Sequence, residues 1–489
     1  MTAAPATARA SLLSPILIGV VSGSILVPLN STMLAVALPG VMDEFSLGAD
    51  NVATLVSLYL GAVAIALPLG GTLGDRFGAR RTFLAGVIGF GAASLLAAVA
   101  GSFVILQVAR VLQATFGALV STSSAVLIRE SAPAERRGEA FGLFDGLTSV
   151  SAAIGPFIGG VLVGLFGWRS MFVVAVPIAV VSAGLVGFIL HPDRVARRAA
   201  ARGVGDPEDE SVLPLERDPG PEEFAPPVQR RRIDVRGLVL LGLSISAFLV
   251  ALRGPGLGTA WVVATLALVP LAIAFVAVEL RTDHPAVDPR LFRVRAFAAA
   301  ITGVFGSTVI LHGSFILVPL AVERLLHESA ATSGIVLLGI AGVGALIAPF
   351  GGRISDRTGR RNVVVAGSLI SAAGLAALWL PVGTSAPIAI AVLLGVVGFG
   401  NGLTSPRQVA ALESTTKERT GMAAGTYYTG RYLGGVVGAS LAGVVLGSTV
   451  TVGGVSSAFG LLAIVGLLVA VASLGLPGRG RQRGTSSDA

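Results

Sequence analysis

Very few side chains in this 489-residue chain are equipped for chemistry. Cysteine is absent, which removes disulfides, thiolate metal ligands and iron–sulfur clusters. The one lysine, Lys417, is followed by Glu418, so no phosphate-cradling glycine loop ending in Lys-Ser or Lys-Thr is present. Neither HExxH nor GxSxG occurs, and no metal-ligating cluster stands out. What remains is a thin scatter of ionisable and amide side chains inside apolar runs: Asn30, Arg110, Gln113, Asp145, His312, Asn401 and Arg431. Groups so placed are expensive to bury and default to functional roles, as binding groups or proton carriers. Asp145 reads either as a proton site or as a salt-bridge partner of Arg129 or Arg137. His312 is a titrating group near neutral pH or a packed, hydrogen-bonded ring. Arg431 either lines a cavity or locks onto a charged loop.

The elements that position these residues are set by composition. The chain is 53% hydrophobic and 13% charged, and its mean hydropathy is +0.84. A soluble chain carries roughly 25% charge, so this one cannot clothe a water-facing surface. Runs of about 20 apolar residues, the length that crosses a bilayer as helix, recur near 13–38, 51–73, 82–100, 103–128, 139–165 and 169–190. Two more follow at 236–253 and 259–280, then six at 297–321, 331–351, 362–380, 386–407, 422–447 and 453–476. The expectation is an all-α polytopic membrane protein with 14 transmembrane helices. Its units are a six-helix bundle over 1–190, a disordered cytoplasmic loop over 191–234, an extra helix pair with linker over 235–296, a second six-helix bundle over 297–476, and a tail over 477–489.

Charge orients the spans. Of 35 lysines and arginines, 30 fall in segments on the N-terminal side and only Arg169, Arg253 and Arg324 in loops opposite. By the positive-inside rule both termini are cytoplasmic. The net charge of +8 therefore reports topology, and nucleic acid is not an expected partner. The N-terminal apolar run has no convincing cleavage site and reads as a retained helix.

One pattern occurs twice: GTLGDRFGARR at Gly71–Arg81 and GRISDRTGRR at Gly352–Arg361. Asp75 and Asp356 lie 281 residues apart, each after an inward-running span. Repetition at this distance implies two equivalent halves. In the first copy, Gly71, Gly74 and Gly78 are expected to permit tight packing and a chain reversal, while Asp75 faces a helix terminus and Arg76, Arg80 and Arg81 hold the cytoplasmic side. The second copy offers Gly352, Asp356, Arg357, Gly359, Arg360 and Arg361. Gly155/Gly159 and Gly430/Gly434/Gly438 repeat at four residues, flat surfaces suited to close helix contact, and are read as interfaces that slide or bend. Pro156 favours a kink.

The doubled loop resembles the motif of the major facilitator superfamily. Arg110, Gln113 and Gly117 are similar to that family's arginine motif, with Ala114 where glycine is usual. Gly146, Gly155, Pro156, Gly159 and Gly160 resemble its exporter Gly-Pro motif, with Ser151 replacing one glycine. The extra helix pair and the segment Arg419–Gly435 resemble the fourteen-helix drug:proton antiporters. This resemblance implies a major facilitator fold and a polyspecific exporter in the cytoplasmic membrane. It also implies small amphipathic substrates, a proton gradient in place of a cofactor, and a monomer. It assigns Glu130 as a partner of the loop arginines. Where the family carries Asp in span one this chain has Asn30, which cannot titrate. Asn30 and Arg110 lie at similar distances from the outer ends of their spans, which allows them to touch. The embedded balance, two arginines against Asp145, suggests neutral, zwitterionic or anionic substrates. Uptake by symport or facilitated diffusion, and a non-transporting sensor, are the competing readings.

Overall fold

In lipid every backbone amide must be satisfied within its own segment, and the apolar runs answer as helices. A computed structural model describes residues 15–131, 137–189, 235–252, 258–282, 289–379, 386–415 and 420–478, and it is helical throughout, without strands among these residues. The first half comprises α1 (Pro15–Phe45), α2 (Ala49–Phe77), α3 (Ala79–Ala98), α4 (Phe103–Ser131) and α5 (Arg137–Phe166). Its sixth span is interrupted after one turn, giving α6 (Ser170–Val173) and α7 (Ala175–Ile189). Then come α8 (Val235–Leu252), α9 (Thr259–Arg281) and a 3-10 turn over Pro289–Arg293. The second half comprises α10 (Arg295–Arg324), α11 (Ala330–Thr358), α12 (Arg360–Trp379), α13 (Pro387–Leu403), α14 (Pro406–Glu413), α15 (Thr420–Leu446) and α16 (Val452–Ser473). Among the described residues 13 helical spans are long and apolar enough to cross a membrane. The fourteenth expected span is the 18-residue α8. The expected loop over 191–234 and most of the tail lie outside the described residues.

The halves repeat in detail. α1 packs on α5 as α10 packs on α15, and α2 on α4 as α11 on α13. Gly78 (φ 86°, ψ 141°) and Gly359 (φ 90°, ψ 139°) make the same reversal 281 residues apart. At the opposite end Ser46 and His327, again 281 apart, both take positive φ, 52° and 55°. Across the molecule the halves meet along two seams, α2 against α15 and α5 against α11. The extra pair lies beside the first seam: Leu241 and Ile245 of α8 and Phe275 of α9 pack with Ala64 of α2 and Tyr432 and Leu433 of α15.

Two expectations about the repeated motif are corrected. It is not mainly a loop: Gly71–Phe77 forms the last turns of α2 and Gly352–Thr358 those of α11, and only Gly78 and Gly359 break the helices. Helical backbone satisfies its own polar groups, so the helices run past the apolar limit until glycine permits positive φ. Nor do Gly71 and Gly74 pack tightly. A β-carbon at Gly71 would meet nothing within 4 Å and at Gly74 only Ser123 Oγ at 3.9 Å, whereas at Gly70 it would meet Thr122 Oγ1 at 2.7 Å.

Candidate functional site

A buried guanidinium sits at the centre of the first half. Arg110 on α4 is 1% exposed and Asn30 on α1 is 2% exposed. Arg110 Nη1 donates to Asn30 Oδ1 at 2.7 Å and to Gln113 Oε1 at 2.9 Å. Gln113 Nε2 then donates to Ser94 Oγ at 2.8 Å, and Asn30 Nδ2 to the Met171 carbonyl at 3.2 Å. The guanidinium lies 4.0 Å from the centroid of the Tyr59 ring, within the range of a cation–π contact. One side chain thus ties α1, α2, α3, α4 and α6 together, with neutral partners only among the described residues. The amide at position 30 is used at both ends, oxygen to Arg110 and nitrogen to a carbonyl. A carboxylate could do only the first.

The second half holds a counterpart that composition and spacing did not single out. Arg407 opens α14, is 1% exposed, and donates to the Gly303 carbonyl (2.8 Å), Ser307 Oγ (2.5 Å) and Ser368 Oγ (2.7 Å). It joins α10, α12 and α14, again without a carboxylate among its described partners. In the charge count Arg407, at the end of the expected span 386–407, falls among the cytoplasmic charges. The chain in fact restarts as helix there and carries the arginine inward. Arg431, counted among the embedded charges, is instead exposed on α15 and makes no hydrogen bond or ion pair with a described residue. Its expected lock onto a motif loop is not formed among them. Glu279 on α9, absent from the expected balance, is 1% exposed.

The motif copies anchor through their arginines. Arg360 makes a two-pronged pair with Glu413, at 2.5 and 2.9 Å, and Arg80 Nη2 donates to the Gly187 carbonyl at 2.9 Å, capping α7. Arg76 lies 5.4 Å from the Phe77 ring, and Arg81, Arg357 and Arg361 are exposed. The side chains of Asp75, Asp356, Glu130 and Asp145 lie outside the described residues. His312 on α10 shares its Nδ1 with the Thr308 carbonyl at 3.2 Å. Asn401 is half-buried on α13, away from the Arg110 group. The structure therefore brings Asn30, Arg110 and Gln113 together and leaves His312, Asn401 and Arg431 apart from them.

The glycine faces fall into two kinds. Gly155 and Gly159 meet Thr32 and Met33 of α1, while Gly434 and Gly438 meet Phe305 and Val309 of α10. Both contacts lie inside a half and not between the halves. The seam itself is made by Gly160, where a β-carbon would stand 2.5 Å from the Ala330 carbonyl, and Gly334, 2.4 Å from that of Pro156. Pro156 sits within a continuous α5.

Among the described residues the cross-half hydrogen bonds and ion pairs gather at one end. Towards the Ser46 end, Asp50 N–H donates to the Gly447 carbonyl (3.1 Å) and Ser57 and Ser440 share a hydrogen bond (2.9 Å). There Arg324 also pairs with Asp43 and donates to the Pro39 carbonyl at 2.9 Å. Asp43 and Arg324 are themselves 281 residues apart, equivalent positions of the two halves carrying opposite charges. Leu60 meets Gly435, and Val63 and Ala64 reach Tyr432 and Leu433. Towards the Gly78 end, Gly146, Leu147 and Val150 of α5 and Leu346 and Phe350 of α11 are exposed, and a β-carbon at Gly146 would meet nothing within 4 Å.

The chain belongs to the Major Facilitator Superfamily, whose family model matches residues 20–439 and 296–489. More particularly, it resembles bacterial transporters of that superfamily. It is 29% identical to the uncharacterized MFS-type transporter YwoD of Bacillus subtilis, over 94% of this chain and 95% of that protein. It is 30% identical to the tetracenomycin C resistance and export protein of Streptomyces glaucescens, over 89% and 76%. Identity to a multidrug resistance protein B homolog of Mycobacterium tuberculosis is also 30%, over 87% and 75%. The fold matches crystal structures of the peptide transporter POT with sulfate (TM-score 0.65, 17% identity, 94% of this chain and 93% of that one) and a D-xylose-proton symporter (0.64, 14%, 96% and 99%). The molecule is a multi-pass membrane transporter with the major facilitator fold.

Proposed function

We propose that this transporter exports small amphipathic molecules across the cytoplasmic membrane by proton antiport and alternating access. In this reading both termini are cytoplasmic, the working unit is a monomer and no cofactor is needed. The observation that carries the reading is the one-sided closure: cross-half hydrogen bonds and an ion pair at the Ser46 end, and exposed residues of α5 and α11 at the Gly78 end. With the arginine-rich ends inside, this is an inward-open state. The similarity to the tetracenomycin C resistance and export protein and to the multidrug resistance protein B homolog supports export. Asn30 cannot carry the proton, so we assign coupling to Asp145, the deeper of the two acids of α5.

The test uses everted vesicles with an acid interior and a pH-sensitive dye. Adding an amphipathic substrate is expected to release protons from the lumen, and Asp145→Asn to abolish the release. Substrate movement with no proton release would replace export by facilitated diffusion, the reading that the loss of the span-one acid favours. Normal release in Asp145→Asn but none in His312→Ala would move the coupling to α10.

A further inference from the structure

We infer that Arg431 is the recognition point for an acidic group on the transported molecule, so that the preferred substrates are apolar ring systems bearing a carboxylate or phenolate. This rests on the transporter reading above and names its substrate class.

The position of Arg431 carries the argument. On α15, Gly430, Gly434 and Gly438 face α10, and Tyr432, Val436 and Ser440 face α2. Gly435 lies between these faces, on the molecular midline, where a β-carbon would touch Leu60 of α2 at 2.9 Å and His312 of α10 at 3.1 Å. Arg431 is one turn before Gly435 on that same face. At Gly435 the halves touch, and one turn away, at Arg431, the guanidinium is exposed. In the inward-open reading it marks the apex of the cleft. Arg431 is 11 residues from the start of α15, about 16 Å at 1.5 Å per residue. That is too deep for its side chain to reach the helix end and snorkel.

The chemistry around it is complementary to an amphipathic anion. Among the described residues the ionisable groups within its field are His312, Tyr427 and Tyr432, none a carboxylate. Exposed Tyr428, one turn below, offers an aromatic face beside it. Arg110 and Arg407 have spent their hydrogen bonds inside the halves. Of the three arginines, only Arg431 presents its donors to the cleft, and a charge-assisted pair with a carboxylate is the bond it is built to make.

The test measures binding of three dyes to the purified full chain in nanodiscs: anionic fluorescein, neutral Nile red and cationic ethidium. Wild type is expected to prefer fluorescein. Arg431→Gln should weaken fluorescein about tenfold, the loss of one charge-assisted contact, and leave Nile red within about twofold. Arg431→Lys, which keeps the charge, should recover part of the affinity and guards against a folding defect. Wild-type preference for ethidium, or equal weakening of all three dyes in Arg431→Gln, overturns the proposal. So does an Asp145→Asn variant that tightens fluorescein about tenfold, since Arg431 would then be tied to an internal acid in the wild type. Binding needs no gradient, so failure of proton antiport in vesicles would sink the export mechanism and leave this assignment intact.

Discussion

The two halves each bury one arginine, and they hold it differently. Arg110 is gripped by side-chain amides, Asn30 and Gln113, whose far ends are bonded in turn to Met171 and Ser94. Arg407 is gripped by a backbone carbonyl and two hydroxyls, with Ser368 bonded onward to Val364 of its own helix. Neither has a carboxylate among its described partners, so a buried cation here is no sign of a proton site. Side-chain amides can rotate and exchange partners, whereas a helix carbonyl is fixed by its neighbours. The first arrangement suits a joint that must rearrange, the second a strut.

The comparison breaks most visibly if the arginines are removed. Arg407→Ala forfeits three hydrogen bonds from a charged donor, each worth about 1.5–3 kcal/mol, and leaves a cavity among α10, α12 and α14. The expected result is a loss of about 4 kcal/mol of stability, read as a fall in monodisperse protein and in melting temperature. Arg110→Ala loses two such bonds and the Tyr59 contact, and should fold with a smaller fall while transport is lost. Equal destabilisation with equal loss of transport would erase the distinction between joint and strut.

How far the sequence foretold this differs between the two sites. The Asn30–Arg110 contact follows from counting residues to the outer ends of α1 and α4, because a straight helix converts sequence distance into depth. The repeat was legible because Asp75 and Asp356, like Gly78 and Gly359, keep one spacing. Arg407 was hidden because helix restarts after the bend at Thr404 and Ser405, and an apolar run cannot report a restart. For Arg431 two readings, cavity wall and loop lock, stayed open for another reason. Its helix and depth are correct, but which side of α15 faces the cleft depends on how α2 and α10 pack against it.

A gentler change sharpens the joint. Asn30→Asp would give Arg110 the counter-charge it lacks and would remove the donor that now serves the Met171 carbonyl. A charge-assisted bond gains about 1.5–3 kcal/mol and an orphaned carbonyl costs about 1–3 kcal/mol, so the net change in stability is expected to be small. Asn30→Leu loses both bonds and should destabilise by about 2 kcal/mol. Thermal unfolding of the two variants in the same detergent checks the order. A leucine variant as stable as wild type would mean that Arg110 finds equal partners elsewhere and that the amide is dispensable.

The smallest effect expected separates the outer layers of the two sites. Ser368→Ala removes one of three acceptors from Arg407, whose other two remain, and should cost about 1 kcal/mol with transport unchanged. Ser94→Ala removes the acceptor of Gln113 Nε2 and should cost a similar amount, yet it frees the amide that orients Arg110. If Arg110 belongs to a joint that rearranges in the cycle, Ser94→Ala alters turnover while Ser368→Ala does not. Matching stabilities with a turnover change only in Ser94→Ala is the signature. Unchanged turnover in both would make Arg110 a second strut.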